Sequence, residues 1–385
     1  MTDDLTARLL RAVLRRPGRA RISLIGLCKN AGKTVTLNRL IRAAAAEGLT
    51  PGLLSTGRDG EAVDAVTELP KPRIWAPAGA LVATALPALT PGGESPEGTW
   101  DRSGHNPQGG ELPPGDSHGS GGTAAVEVLA ETGIPTPLGP VVIGRVVRSG
   151  AVLLVGPGSA ARVGALLDAL EAAGAALCLV DGSFDRRAAA APAVTGRAVL
   201  AAGAAYSASV NETVAQVRHL LEIFDLPAAL AHWLNRGADT LPPVALLPSD
   251  GPPVAIPVAS ALADPAAVAE AAAAAPPGTV LSLGGALTDG LLTALLARRL
   301  GGLPILVDDP TRVLAGRTAW RRWRRQGGRV WVRRGIDLAA VTTNAYSPVG
   351  PDYDPADFCA RVAEVAGRPV ADLVAGIAHN LNPED

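Results

Sequence analysis

With 385 residues, 35 basic against 36 acidic, the chain is long enough for two cored domains, and its near-zero net charge makes no electrostatic case for a nucleic-acid or membrane partner. Three cysteines, Cys28, Cys178 and Cys359, stand far apart without pairing or metal-ligand spacing, which suits a reducing cytosol. Near the N-terminus Leu9, Leu10, Val13 and Leu14 are interrupted by Arg8, Arg11, Arg15 and Arg16; neither a signal-peptide pattern nor a charge-free membrane-spanning run is read, and a cytoplasmic location is expected.

Residues 5–16 read as a short amphipathic helix. Ile22, Leu24 and Ile25 then form an apolar run of buried-strand type, Gly26 to Thr34 reads G-x-x-x-x-G-K-T, and Leu37, Leu40 and Ile41 fall on one side of a helix over 35–47. Strand, glycine loop and helix are the context that makes a phosphate-loop motif credible. Gly26 and Gly32 let the backbone curl so that its N–H groups point at phosphate oxygens, and the helix N-terminus adds its dipole. The candidate nucleotide contacts are therefore Gly26, Lys29, Asn30, Ala31, Gly32, Lys33, Thr34 and Val35. Lys33 is expected to reach the β- and γ-phosphates, and Thr34 to offer its hydroxyl to Mg²⁺. Composition supports this: the chain has only three lysines, Lys29, Lys33 and Lys71, and two lie in this loop, where a compact ammonium fits and a forked guanidinium does not.

Residues 51–56 form the next expected strand, placed beside the first and ending in Ser-Thr-Gly-Arg-Asp-Gly-Glu (55–61). Ligands bind at the carboxyl ends of strands in open α/β sheets, so Asp59 or Glu61 could hold Mg²⁺, directly or through water, or orient an attacking water; a solvated Asp-Gly turn is the plain alternative. Residues 90–122 are rich in Pro, Gly and Ser and read as a mobile insertion, with His105 and His118 lacking a partner at ligand spacing. Strands are expected at 141–147 and 151–155. Gly156-Pro-Gly-Ser159 reads as a turn, with Ser159 capping a helix that runs to about Ala173. Leu177-Cys-Leu-Val-Asp181 is an apolar strand ending in a carboxylate, the pattern of an aspartate that holds a metal-bound water; a cap is the plain alternative. Lys33, Asp181 and Asp59 are thus the candidate catalytic residues, and Thr34, Asp181 and Glu61 the candidate Mg²⁺ ligands. A strand at 199–202 and a helix over 210–224 follow.

The chain turns Pro-rich around 226–250, where a domain boundary is placed. Strands at 280–283, 304–307, 329–332 and 339–342 then alternate with helices over 287–299 and 311–326, which predicts a second parallel α/β layer. Its strand ends carry Gly284-Gly285, Asp308-Asp309 and Thr343-Asn344-Ala-Tyr-Ser347, which read either as caps and turns or as the lining of a second ligand or partner site. The expected fold class is α/β: a P-loop NTPase with a parallel sheet flanked by helices over 1–235, plus a second, smaller α/β domain over 236–385. ATP is favoured over GTP, since no lysine remains after Lys71 for an Asn-Lys-x-Asp motif.

Lys29 inside the loop resembles the signature-lysine group of dimeric NTPases, which includes dethiobiotin synthetase and the cobyrinate amidases, although Asn30 and Ala31 replace that group's usual glycines. Four segments together resemble the ATPase encoded with adenosylcobalamin-dependent lysine 5,6-aminomutase: Gly-Leu-Cys-Lys-Asn-Ala-Gly-Lys-Thr (26–34), Val-Asp-Gly-Ser-Phe-Asp-Arg (180–186), Val-Asp-Asp-Pro-Thr (307–311) and Thr-Asn-Ala-Tyr-Ser-Pro (343–348). The resemblance implies a chaperone that uses ATP and Mg²⁺ to reactivate the aminomutase by exchanging damaged cobalamin. Lys33, Thr34 and Asp181 would do the nucleotide work, the second domain would grip the mutase, and the signature-lysine group adds the prospect of a homodimer. The competing expectation is a biosynthetic enzyme that activates a small carboxylate with ATP, as dethiobiotin synthetase does. A glutaminase is disfavoured because Cys359 sits in an expected helix, 355–366, without a glycine elbow or a neighbouring histidine. Cys28 in the loop reads either as small filler or as a thiol sensitive to oxidation near the phosphates.

Overall fold

The computed structural model describes residues 2–16, 19–59, 73–89, 122–182, 194–230, 233, 241–348 and 350–382, the side chains of residues 2, 3, 58 and 59 excepted. Helix α1 (Thr2–Leu14) leads to β1 (Arg21–Gly26), α2 (Lys33–Ala46), β2 (Pro51–Ser55), β3 (Arg58–Asp59), β4 (Ile74–Ala76) and β5 (Leu81–Ala85). The hairpin β6 (Ala125–Thr136) and β7 (Gly139–Arg148) precedes β8 (Gly150–Val152), β9 (Leu154–Val155), α3 (Ala160–Ala172), β10 (Leu177–Asp181), β11 (Arg197–Gly203) and α4 (Val210–Phe224). Then come β12 (Val244–Leu247), β13 (Val254–Ala255), α5 (Pro265–Ala273), β14 (Val280–Leu283), α6 (Asp289–Ala297), β15 (Ile305–Val307), α7 (Arg317–Arg325) and β16 (Val330–Val332). The chain closes with β17 (Asp337–Asn344), α8 (Pro355–Ala366), β18 (Val370–Asp372) and β19 (Ile377–His379).

Two compact units result: residues 1–217 with 338–385, and residues 218–337. This departs from the expected cut near 235. Strand β17 joins the first sheet beside β11, and β18 and β19 extend that edge, so the last 48 residues complete the first unit. Its ten-stranded sheet runs β19-β18-β17-β11-β1-β10-β2-β5-β7-β6. The expected parallel sheet is in fact mixed. Strands β1, β10, β11, β2 and β5 pair in parallel, as do β17 and β18, while β7, β6 and β19 add antiparallel edges.

Alternation along the central strands explains how this sheet is covered on both faces. Leu177 and Leu179 of β10, Leu53 of β2 and Val82 of β5 share a core with Leu9, Leu10 and Val13 of α1 and Leu37, Leu40 and Ile41 of α2. The intervening Cys178, Val180, Leu54, Leu81 and Ala83 pack with Val163, Leu166, Leu167 and Leu170 of α3. Buried on both faces, the central strands read as continuous apolar runs. Strand β6, mostly exposed and interrupted by three register shifts, lacks that signal, so it is not legible in the sequence.

The second unit has a five-stranded sheet, β13-β12-β14-β15-β16. Strands β14, β15 and β16 are parallel as expected, but β12 runs antiparallel to both β13 and β14. Its core gathers Leu291, Leu292 and Leu295 of α6 with Trp320 and Trp323 of α7, so the two tryptophans of the arginine-rich helix are buried while most of its arginines point outward. The helix expected over 311–326 is shorter: a 3-10 turn, Pro310–Arg312, is capped by Asp309, and α7 starts only at Arg317.

Candidate functional site

Strand β1 ends at Gly26, and the next residues form a loop that closes on the N-terminus of α2. A Cβ at Gly26 would lie 3.0 Å from the Cys28 carbonyl oxygen and from two carbons of Lys33, so the absence of a side chain lets the lysine fold back over the loop. Gly32 is the N-cap of α2 with φ +93°, a left-handed conformation that favours glycine. Asn30, at φ +58°, also turns left-handed. The N-cap offers no side chain to the first turn of α2 and no acidic residue stands there, so that turn keeps its positive character for an anion.

The loop is seated from below. The amide of Leu27 donates to the Ala201 carbonyl of β11 at 2.8 Å. Ala31 is buried against Gly203, where a Cβ would lie 2.6 Å from the Ala31 Cα. At the crown Lys29 and Asn30 are exposed, while Lys33, Thr34 and Val35 are partly buried in the first turn of α2. The Thr36 hydroxyl is 2.8 Å from that of Thr342 on β17, a buried link between the helix and a strand 306 positions later.

Asp181 occupies the tip of β10. That strand pairs in parallel with β1, Leu24 opposite Asp181, and the Gly182 amide donates to the Leu24 carbonyl at 3.0 Å. The Asp181 side chain is buried at 3% exposure, and the Lys33 ammonium bridges the two elements: Nζ donates to the Gly182 carbonyl at 2.8 Å and stands 3.4 Å from Asp181 Oδ1. The structure thus brings Gly26, Ala31, Gly32, Lys33, Thr34 and Asp181 to one sheet edge. Nothing more than an apolar strand ending in aspartate was legible for Asp181; its partnership with Lys33 comes from the parallel pairing.

The expectation that the strand over 51–56 lies beside the first is corrected: β10 stands between β1 and β2. Asp59 is carried instead on β3, a two-residue strand paired with β9, where Asp59 is opposite Leu154. Its side chain lies outside the described residues, as do Glu61, residues 90–121 and residues 183–193 with Asp185 and Arg186. Thr343 and Asn344, expected in the second domain, end β17 on the first sheet; a Cβ at Gly32 would lie 2.8 Å from the Asn344 Cβ. Asn344 is legible as a strand-end residue, but nothing local in the sequence signals that it or Gly203 meets the loop.

Ser159 precedes α3 as expected but makes no side-chain cap hydrogen bond. Cys28 is half-buried, and burial pushes its thiol up to about 11, which favours filler over an oxidation-sensitive thiolate. Cys359 is fully buried in α8 and its thiol is likewise raised by burial.

Fold and site together define an α/β protein in which a large, mainly parallel sheet flanked by helices carries a glycine loop and a lysine–aspartate pair at its carboxyl edge. No family model, curated protein or solved structure matches the chain. Among the described residues no helix is long and apolar enough to cross a membrane.

Proposed function

We propose that this chain is a P-loop NTPase that binds ATP with Mg²⁺, hydrolyses it, and works in the cytosol to reactivate an adenosylcobalamin-dependent aminomutase. The observation that carries the nucleotide part is the seating of the Gly26–Thr34 loop with Lys33 held at the tip of the Asp181 strand. The residues present fit the group. Gly26 and Gly32 leave backbone where side chains would intrude, the first turn of α2 has no side-chain cap, and a cation and a buried carboxylate stand 3.4 Å apart.

Lys33 would neutralise terminal phosphate oxygens, leaving the Gly182 carbonyl for them, and Thr34 would supply a hydroxyl to the metal. Asp181, freed of the ammonium, would hold a metal-bound water. Bound Mg²⁺ would supply charge neutralisation across the phosphates. The aminomutase part rests on the four-segment resemblance alone.

The test is ATP binding and hydrolysis by the purified protein, alone and with turnover-inactivated lysine 5,6-aminomutase supplied with fresh adenosylcobalamin. Mutase-stimulated hydrolysis and recovered mutase activity, both lost in Lys33→Ala, are expected. Turnover indifferent to the mutase would discard the reactivation reading. Unchanged turnover in Lys33→Ala would discard the site.

A further inference from the structure

The unit of residues 218–337 concentrates positive charge that its own acids do not answer. Residues 298–334 hold eleven arginines and two carboxylates, Asp308 and Asp309, in a chain of net charge −1. Five of those arginines lie on the nine-residue helix α7, which has no acidic residue.

Helical spacing sorts them. Trp320 and Trp323 face the core at 1% and 0% exposure, so Thr318, Arg321, Arg322 and Arg325, at i, i+3, i+4 and i+7, form the outward stripe, and all four are exposed. Arg324 is used within the fold: it donates to the Gly328 carbonyl at 2.9 Å and lies over the Trp320 ring. The nearby glutamates are used as well. Glu222 accepts from Trp320 Nε1 at 3.2 Å, and Glu270 stands 3.6 Å from Arg298 Nη2. Among the described residues none gives Arg321, Arg322 or Arg325 a hydrogen bond or an ion pair. Arg321 and Arg325 stand one turn apart, where like charges repel. The dipole of α7 favours cations in its last turn, but Arg321 lies before it. The patch continues towards α6: Gly301 is packed on Gln326, where a Cβ would lie 2.7 Å from the Gln326 Cβ, which brings the exposed Arg299 towards the end of α7.

We propose that the outward stripe of α7 docks an acidic helical segment of a partner protein, with carboxylates one turn apart meeting Arg321, Arg322 and Arg325. Guanidiniums pair carboxylates through two parallel hydrogen bonds, and that pairing relieves the repulsion along the stripe. A nucleic acid fits less well: both tryptophans of α7 are buried, so no aromatic ring stands on the stripe for a base to stack on. An anionic membrane fits less well too, since the stripe has no apolar side chain to insert. The surface does not rest on the nucleotide reading, because its residues all belong to the unit without the glycine loop.

The experiment is a fluorescence-anisotropy titration of the full chain against a labelled helical peptide with glutamates along one face, and against a peptide of the same composition with its glutamates scattered. Mixed-sequence duplex DNA and phosphatidylserine vesicles are tested alongside. The variant carries Arg321→Gln, Arg322→Gln and Arg325→Gln together; these side chains are exposed and glutamine keeps the helix propensity, so its melting midpoint is expected to hold or rise. Arg145→Gln with Arg148→Gln, both exposed on β7, controls for loss of charge elsewhere. Saturable binding of the one-faced peptide is expected, tighter than that of the scattered peptide, the DNA or the vesicles. It should be kept in Lys33→Ala and in the β7 control, and weakened at least tenfold in the triple variant. If the triple variant melts lower, Arg321→Gln and Arg325→Gln singly decide, each weakening binding about threefold. No saturable binding, equal binding of the two peptides, binding undiminished in the α7 variants, or tighter binding of DNA or vesicles would overturn the proposal.

Discussion

At Gly203 the structure leaves no room for even one carbon. A methyl there would press on the Ala31 backbone at 2.6 Å, and backbone cannot rotate away as a side chain can. Gly203→Ala is expected to lower stability by about 1–3 kcal/mol, the usual cost of overpacking, and to weaken ATP binding at least tenfold by lifting the loop. Paired melting and nucleotide titration check this; an unshifted melting midpoint would show that the loop yields freely. Cys28 supports a second prediction at this scale. With its thiol raised to about 11, roughly one in ten thousand is ionised at pH 7. Alkylation of Cys28 is therefore expected to be slow with or without nucleotide, and to quicken about tenfold per pH unit towards pH 11. Fast labelling at neutral pH that ATP suppresses would restore the oxidation-sensitive reading.

Between elements, one polar network ties the start of β1 to α3. Arg21, 7% exposed, donates from Nε to Glu171 Oε1 at 2.6 Å and from Nη2 to Asp168 Oδ1 at 2.5 Å, with Arg19 beside them. Hydrogen bonds from Arg21 hold both carboxyls below their ordinary values. A carboxyl lowered in the folded state contributes stability that is full above its unfolded value, near pH 4.5, and is lost as pH falls through the folded value. Glu171→Gln is expected to cost about 1–2 kcal/mol at pH 7, discounted because solvent reaches Glu171 and Asp168, and to cost nothing in acid well below pH 4. Melting across pH 2–7 checks it; an equal loss at every pH would mean that packing, not charge, is what the glutamate supplies. The hydroxyl pair Thr36 and Thr342 joins α2 to β17, and here the double variant is informative. Each valine alone strands a buried partner, while Thr36→Val with Thr342→Val removes both, so the double loss should be smaller than the sum of the singles by about 1 kcal/mol. Additive losses would show that the two hydroxyls do not depend on each other.

For the whole molecule, the decisive fact is that the first unit is discontinuous. Residues 338–385 lay β17 against β11 and cover that side of the sheet with β18 and β19. A fragment ending at residue 235, the boundary composition suggests, exposes the β11 edge and is expected to aggregate. A fragment of residues 218–337 keeps its own five-stranded sheet and tryptophan core and is expected to melt cooperatively. Soluble, cooperatively folding 1–235 would overturn this division of the chain.

The sequence by itself determined whatever rests on neighbours along the chain. The strand–loop–helix at 22–46, the strand ending in Asp181, and helices such as 210–224 and 355–366 follow from apolar period and local backbone chemistry, which need no knowledge of distant contacts. Tertiary structure alone decided which strands became neighbours. Composition does not say that β10 inserts between β1 and β2, giving Lys33 its aspartate and setting the Asp59 segment one strand further away. It does not say that β17 returns across 120 residues to bring Asn344 to Gly32, nor that Gly284-Gly285, Asp308 and Arg333 share one cleft. Parallel pairing joins segments whose order in space is set by helix covering and loop length, and a strand buried on both faces carries the same apolar run whichever neighbour it takes.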